Sequence, residues 1–365
     1  PVCGTEVPPL LGRETVLAKI RGELTKRTPS NLSIVGPIYN GKTVLLQALA
    51  ENMGAAVDSP YRFVVHWRLG HAGHSGGPPQ SDEELVARLG ELLCDEMRQA
   101  GDDFAEYAAY IIEGGFDQLS EAMDELDKYD SPVLLIWDGL DKLLAQDRIT
   151  QRLWSQMRSL FYNHKHKVVT ASRAPLRELV RSGDVSPFWN IFEPIHLGPF
   201  DESDMEAILA EVQSHSFDKG AKTELMNWSG GNPVLLFSVL NRLLAIGPGE
   251  TIGSGHVSAA AEAAASAPDT SDHLAAMWDD CAENLKDVCL RLAKVTELPR
   301  SEVAAAAREA LVLRGMAGES GNRLVITSRL MRDYVGDVGK ETAGLARLFG
   351  AEGAYRKNIR GLLDR

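Results

Sequence analysis

Five short apolar runs punctuate the first two hundred residues. Leu32-Ser33-Ile34-Val35, Tyr61 to Leu69, Val133 to Trp137, Lys167 to Arg173 and Phe192 to Leu197 each read as a strand, the first and third of them buried. Between them the apolar positions recur at helical spacing. Val16, Leu17, Ile20 and Leu24 predict a helix over roughly 14–28, and Thr43 to Ala50 a second. Ser81-Asp82-Glu83-Glu84 has the form of a helix start with acids in its first turn, and helices run on to about Lys128. Strands alternating with helices from 32 to 197 predict a three-layer α/β core with a mostly parallel sheet.

Past Pro199 the strand pattern stops. A helical region follows, holding Trp228-Ser229-Gly230-Gly231-Asn232-Pro233 and then a helix from Pro233 to about Ala245. Residues 247–270 are rich in Gly, Ala and Ser and read as a linker with a short Ala helix, broken again at Pro268-Asp269. One longer helix is expected from Leu274 to Val295, and one or two short ones between Arg300 and Arg314. Glu319-Ser320-Gly321-Asn322 reads as a turn between short strands at Met316-Ala317 and Arg323 to Thr327. Helices followed by a hairpin predict a winged helix. The expected division is a core over 1–198, a helical lid and linker over 199–270, a winged helix over 271–340 and a helical tail over 341–365.

The chemistry gathers around Gly36-Pro37-Ile38-Tyr39-Asn40-Gly41-Lys42-Thr43. Strand, glycine-bounded loop, Lys-Thr and helix is the phosphate-binding P-loop in its required context. Gly36 and Gly41 let the backbone curl so that N–H groups turn inward toward phosphate oxygens, and the helix adds its positive end. Lys42 is expected on the β- and γ-phosphates and Thr43 on Mg²⁺. Gly36, Pro37, Asn40, Gly41, Lys42 and Thr43 are thus the candidate nucleotide-binding set. The run Val133 to Trp137 ends in Asp138, placed to hold Mg²⁺ at the C-terminal edge of a parallel strand, and Asp141 is the candidate to polarise water. Arg173, ending another strand, is the candidate γ-phosphate contact. Two histidine pairs, His71/His74 and His164/His166, lack Cys or carboxylate partners at metal spacing.

Composition narrows this picture. The 365 residues carry a net charge of −13 and 44% hydrophobic residues, as in a globular protein, with no apolar run near the ~20 residues of a membrane span. Residues 1–4 do not resemble the start of a signal peptide, and four cysteines without a CxxC pair suit a reduced, cytoplasmic protein. Residues 300–365 hold 12 Lys+Arg against 8 Asp+Glu, a net of +4, which leaves −17 for residues 1–299. Such an acidic body argues against general nucleic-acid binding and confines that option to 275–365.

Several separated motifs resemble the STAND class of P-loop NTPases, relatives of the AAA+ and origin-recognition ATPases. Leu11-Gly12-Arg13-Glu14 is similar to the "GRE" box before the P-loop, and Asp138-Gly139-Leu140-Asp141 to the extended Walker B of the NACHT branch. Thr170-Ala171-Ser172-Arg173 matches the sensor strand, and Gly231-Asn232-Pro233 the GxP motif, whose Pro packs near adenine in that class. Ser328 to Val335 is similar to part of its winged-helix domain. The resemblance implies an ATP/ADP switch with Mg²⁺, Arg13 and Pro233 reporting the nucleotide. The branch usually has an acid where Lys142 stands, which implies slow hydrolysis. STAND proteins usually add an effector domain and a repeat sensor. The chain shows no 30–45-residue repeat, so a separately encoded protein partner, or nucleotide-dependent self-assembly, is expected. Signalling or anti-phage defence in bacteria is the setting this implies. The competing expectation is a DNA-directed origin-recognition-like ATPase acting through its winged helix.

Overall fold

The structure, a computed structural model, describes residues 8–69, 78–101, 105–144, 146, 148–162, 164–179, 188–212, 214–247 and 249–340. Residues 1–4, the His71/His74 pair and the tail 341–365 lie outside them. The chain divides into two compact units, Pro1–Leu197 and Gly198–Arg365.

In the first unit, β1 (Asn31–Val35), β2 (Phe63–Arg68), β3 (Val133–Asp138), β4 (Lys167–Ser172) and β5 (Phe192–His196) form one sheet in the order β2-β3-β4-β1-β5. Every pairing in it is parallel. Strands β1, β3 and β4 are buried along their whole length, as their unbroken apolar runs require. Edge strand β2 instead alternates, burying Phe63, Val65 and Trp67 more fully than Val64, His66 and Arg68. On one face lie α1 (Glu14–Leu24) and α2 (Lys42–Ala55), whose Ile20, Leu24, Leu45 and Leu49 pack with Leu32, Ile34, Leu134 and Ile136. On the other, α3 (Asp82–Ala100), α4 (Ala105–Lys128) and α6 (Gln151–Tyr162) pack against Val65, Trp67, Leu135 and Trp137. Helix α5 (Leu140–Leu144) turns off the end of β3, and α7 (Leu176–Leu179) follows β4. This is the three-layer α/β fold of P-loop NTPases.

His166, one of the two histidines at 164/166, is a core residue. Its Nδ1 accepts the Val133 N–H at 2.9 Å and its Nε2 donates to the Met123 carbonyl at 2.8 Å. Those bonds fix the neutral tautomer, and burial holds its pKa down at about 4. The unfolded chain takes up that proton near pH 6.5 and the folded one does not, so stability is lost as pH falls from 6.5 toward 4. The loss approaches roughly 3 kcal/mol at pH 4. Chemical denaturation across that range should show the gap between the wild type and His166→Gln narrowing as pH falls. Parallel curves would refute this assignment.

The second unit opens with α8 (Glu202–Ala210), β6 (Ser216–Phe217), α9 (Lys219–Ser229), α10 (Pro233–Leu243), β7 (Thr251–Ile252), α11 (Ser254–Ala265) and α12 (Pro268–Asp279). Then come α13 (Glu283–Val295), β8 (Glu297–Pro299), α14 (Ala305–Leu313), β9 (Ala317–Ser320) and β10 (Arg323–Ile326), and a helix over 329–340. The last three strands form an antiparallel sheet in the order β8-β10-β9. Two expectations need correction. The helix foreseen from Leu274 to Val295 is two helices, with a turn over 280–282. There Arg314 Nη1 donates to both the carbonyl and the carboxylate of Asp280, at 2.7 and 2.8 Å. The break expected at Pro268-Asp269 falls slightly earlier, over 266–267 between α11 and α12, and Pro268 itself begins α12, where its missing N–H costs nothing. No helix among the described residues is long and apolar enough to cross a membrane.

Candidate functional site

The C-terminal ends of β1, β3 and β4 carry the residues that the sequence singled out in the first unit, all but Arg13. After Val35 the chain turns through Gly36 to Gly41 and enters α2 at Lys42. Gly41 caps the helix at φ 81° and Tyr39 stands at φ 62°, so the loop contains two left-handed residues, one of them not glycine. Gly36 has no room for a side chain: a Cβ there would lie 2.9 Å from the Leu197 carbonyl oxygen. Asn40 is buried and donates through Nδ2 to that same oxygen, anchoring the loop to the residue after β5. Lys42 Nζ donates to the carbonyls of Gly36 and Pro37 at 2.8 and 2.7 Å, which places its ammonium at the mouth of the loop. Helix α2 has no acid in its first turn, whereas α3 has Asp82, Glu83 and Glu84 there. The positive end of α2 is therefore not offset by a carboxylate of its own.

Asp138 ends β3, in register with Ala171 of β4. It is buried, and its Oδ2 has no hydrogen-bond partner among the described residues. A buried carboxylate oxygen without a donor is costly, and a bound cation removes that cost. Together with the Thr43 hydroxyl in the first turn of α2, this donor set fits a hard, oxygen-seeking Mg²⁺.

Gly139, at φ 85°, then swings the chain into α5. Asp141 is buried there with both oxygens engaged. Oδ2 accepts the Nε–H and N–H of Arg173, at 2.9 and 3.3 Å, and Oδ1 accepts the Lys142 N–H at 3.1 Å. The water-polarising candidate and the γ-phosphate candidate are thus brought together as an ion pair, with Arg173 nearly half exposed at 46%. Arg13 is 5% exposed and sits at φ 70° where α1 begins, its carbonyl accepting from Leu17 N at 2.8 Å. Pro233 lies in the second unit, buried as the first residue of α10. The preceding Asn232 caps that helix through Val234 N and Leu235 N, at 3.1 and 3.3 Å. Gly230 and Gly231, both left-handed, make the turn before it.

One residue was passed over in the sequence. Arg68 closes β2 beside Asp138. A charged residue at the C-terminal end of a parallel strand was the available signal, since that edge is where such sheets bind ligands.

No family model and no curated protein matches the chain. Solved structures do. The Walker-type ATPase PABY2304 of Pyrococcus abyssi has a TM-score of 0.61 at 13% identity, covering 90% of this chain and 99% of that one. The Aeropyrum pernix ORC2 protein in its ADPNP-ADP complexes has a TM-score of 0.54 at 13% identity, covering 94% and 98%. The ADP form of that ORC2 protein has a TM-score of 0.50 at 11% identity, covering 93% and 97%. At such identities the likeness is one of fold, the α/β fold of P-loop NTPases.

Proposed function

We propose that this chain is an ATP-binding switch of the STAND type, one that hydrolyses slowly and regulates a partner or its own assembly. The observation that carries the reading is the pairing of a formed phosphate loop with a buried, unsatisfied carboxylate oxygen on Asp138. The loop's N–H groups, Lys42 and the start of α2 would hold the phosphates, with Thr43 and Asp138 on the metal. Mg²⁺, when bound, would neutralise charge on the β- and γ-phosphates. Slow turnover follows from Asp141, whose oxygens are committed to Arg173 and Lys142, and from Lys142, which cannot act as a base toward water while protonated. Asp141 serves here to position Arg173. We read α13 to β10 as the winged helix and α8 to α12 as the lid.

A DNA-directed ATPase is the second reading, favoured by the likeness of fold to an ORC protein. Against it, nine of the ten Lys and Arg residues from Lys286 to Lys340, all but Lys294, have a carboxylate partner. DNA phosphates would have to compete with those carboxylates for the same cations. Sizing the chain with MgADP and then with a slowly hydrolysed ATP analogue tests the first reading, which expects a larger species only with the analogue. A salt-dependent shift of duplex DNA by the same protein, with no change of size, would favour the second.

A further inference from the structure

Arg68 is the last residue of β2 and Asp138 the last of β3, and the two are in register. Register neighbours on parallel strands turn to the same face of a sheet. Here it is the face that α2 covers, since His66 and Arg68 share it with Leu134 and Ile136, which pack on α2. Arg68 Nε and Asp138 Oδ2 are both buried, and neither has a hydrogen-bond partner among the described residues. A guanidinium N–H and a carboxylate oxygen thus stand on neighbouring strands and leave each other unsatisfied. Burial of either without a partner costs free energy, more for charged groups than for neutral ones.

One class of ligand satisfies both atoms at once. It must offer a cation to the carboxylate and an anionic oxygen to the guanidinium, a short distance apart. A divalent metal carried on a phosphate chain does this, and a phosphate or a metal alone does not. A metal held by Asp138 would neutralise charge on the outer phosphates of a nucleoside triphosphate, so a guanidinium beside that carboxylate would meet the outer end of the chain. The other cations of the site have protein partners in this structure, which a phosphate chain would have to displace. Lys42 bonds the carbonyls of Gly36 and Pro37, and Arg173 bonds Asp141 through Nε.

We infer that Arg68 is a ligand of the terminal phosphate of a metal–nucleoside triphosphate, and that it sets the preference of this site for triphosphate over diphosphate. The inference rests on the reading of Gly36 to Thr43 as a nucleotide site. It adds a specificity-determining residue from an edge strand, outside every motif found in the sequence.

The test is calorimetric titration of the full chain with MgADP and with the magnesium form of a slowly hydrolysed ATP analogue, in the wild type and in Arg68→Gln. The variant should bind the triphosphate at least about tenfold more weakly and the diphosphate within about twofold of wild type. Its melting temperature without nucleotide should stay within about 2 °C, as for a partly exposed residue with an unsatisfied buried atom. Arg68→Lys should recover only part of the triphosphate affinity, because a point charge replaces a planar fork. Unchanged binding of both nucleotides would overturn the inference. So would equal weakening of both with a lower melting temperature, which marks a structural arginine. A wild type that binds neither nucleotide would overturn the P-loop reading itself, and this inference with it.

Discussion

Replacing Lys42 with alanine is expected to weaken ATP binding by at least a hundredfold, about 2.7 kcal/mol, while leaving the fold in place. The two halves of this expectation have separate causes. The ammonium stands at the loop mouth, held by the carbonyls of Gly36 and Pro37. A phosphate chain in the loop would exchange these neutral acceptors for anionic oxygens, to which the ammonium is drawn by net charge as well as by hydrogen bonding. Removing the amine removes that gain and leaves polyphosphate charge without its nearest counter-ion.

The shape of the loop does not depend on Lys42 to the same degree. It is set by the left-handed residues Tyr39 and Gly41 and by the Asn40 bond to the Leu197 carbonyl. Losing the two Lys42 bonds costs roughly 1 kcal/mol each, because Gly36 and Pro37 are buried but truncating the half-buried Lys42 side chain opens a path for water to their carbonyls. Lys42→Ala should therefore melt within a few degrees of the wild type yet give no calorimetric signal at nucleotide concentrations that saturate the wild type. A variant that binds ATP within threefold of wild type would remove the P-loop from the account. Asn40→Ala is the informative contrast. It leaves the charge and breaks the anchor, so its larger effect should fall on stability.

How much of this was legible in the sequence depends on how local each cause is. The apolar runs that became β1, β3 and β4 are buried on both faces, and such strands need nothing beyond their own residues to be recognised. The P-loop was legible for the same reason, since glycine, lysine and threonine spacing is a property of one segment. Features set by partners far along the chain were not legible. The break at 280–282 is bound to Arg314, 34 residues away, and no Gly or Pro in the sequence marks it. Strands β6 and β7 have two residues each, and only their pairing across 35 positions identifies them. Asp141 and Arg173 were both singled out, but their bond across 32 residues changes what Asp141 is free to do. Arg68 meets Asp138 only through the register of two strands 70 residues apart. Pro268 shows the remaining kind of ambiguity, because proline excludes the helix interior while favouring its first turn.

The turn before Pro233 gives the second large effect, and it acts through stability. Gly231 is at φ 72°, and a Cβ there would fall 2.3 Å from the carbonyl oxygen of Phe200. That obstacle is backbone, and it cannot step aside: Phe200 N donates to the Gly231 carbonyl at 2.7 Å, so the two peptides are bound together. Gly230 is confined in the same way, its Cβ position lying 2.8 Å from Thr327 C and Ser328 N. The Ser328 hydroxyl bonds the Trp228 carbonyl at 2.7 Å, and the Arg329 guanidinium lies 4.0 Å over the Trp228 ring. The two glycines are where the start of the second unit, the α9–α10 turn and the end of its last strand converge.

Gly231→Ala is therefore expected to destabilise the second unit by roughly 3–5 kcal/mol, the sum of left-handed strain and a backbone clash without relief. Gly321→Ala separates the two causes. Gly321 is also left-handed, at φ 58°, but has open space around its Cβ position, so it should lose only about 1–2 kcal/mol. Denaturant midpoints for the two variants, with unchanged slope, would measure the difference as the cost of the clash alone. Equal losses would mean that the Phe200 turn moves aside freely.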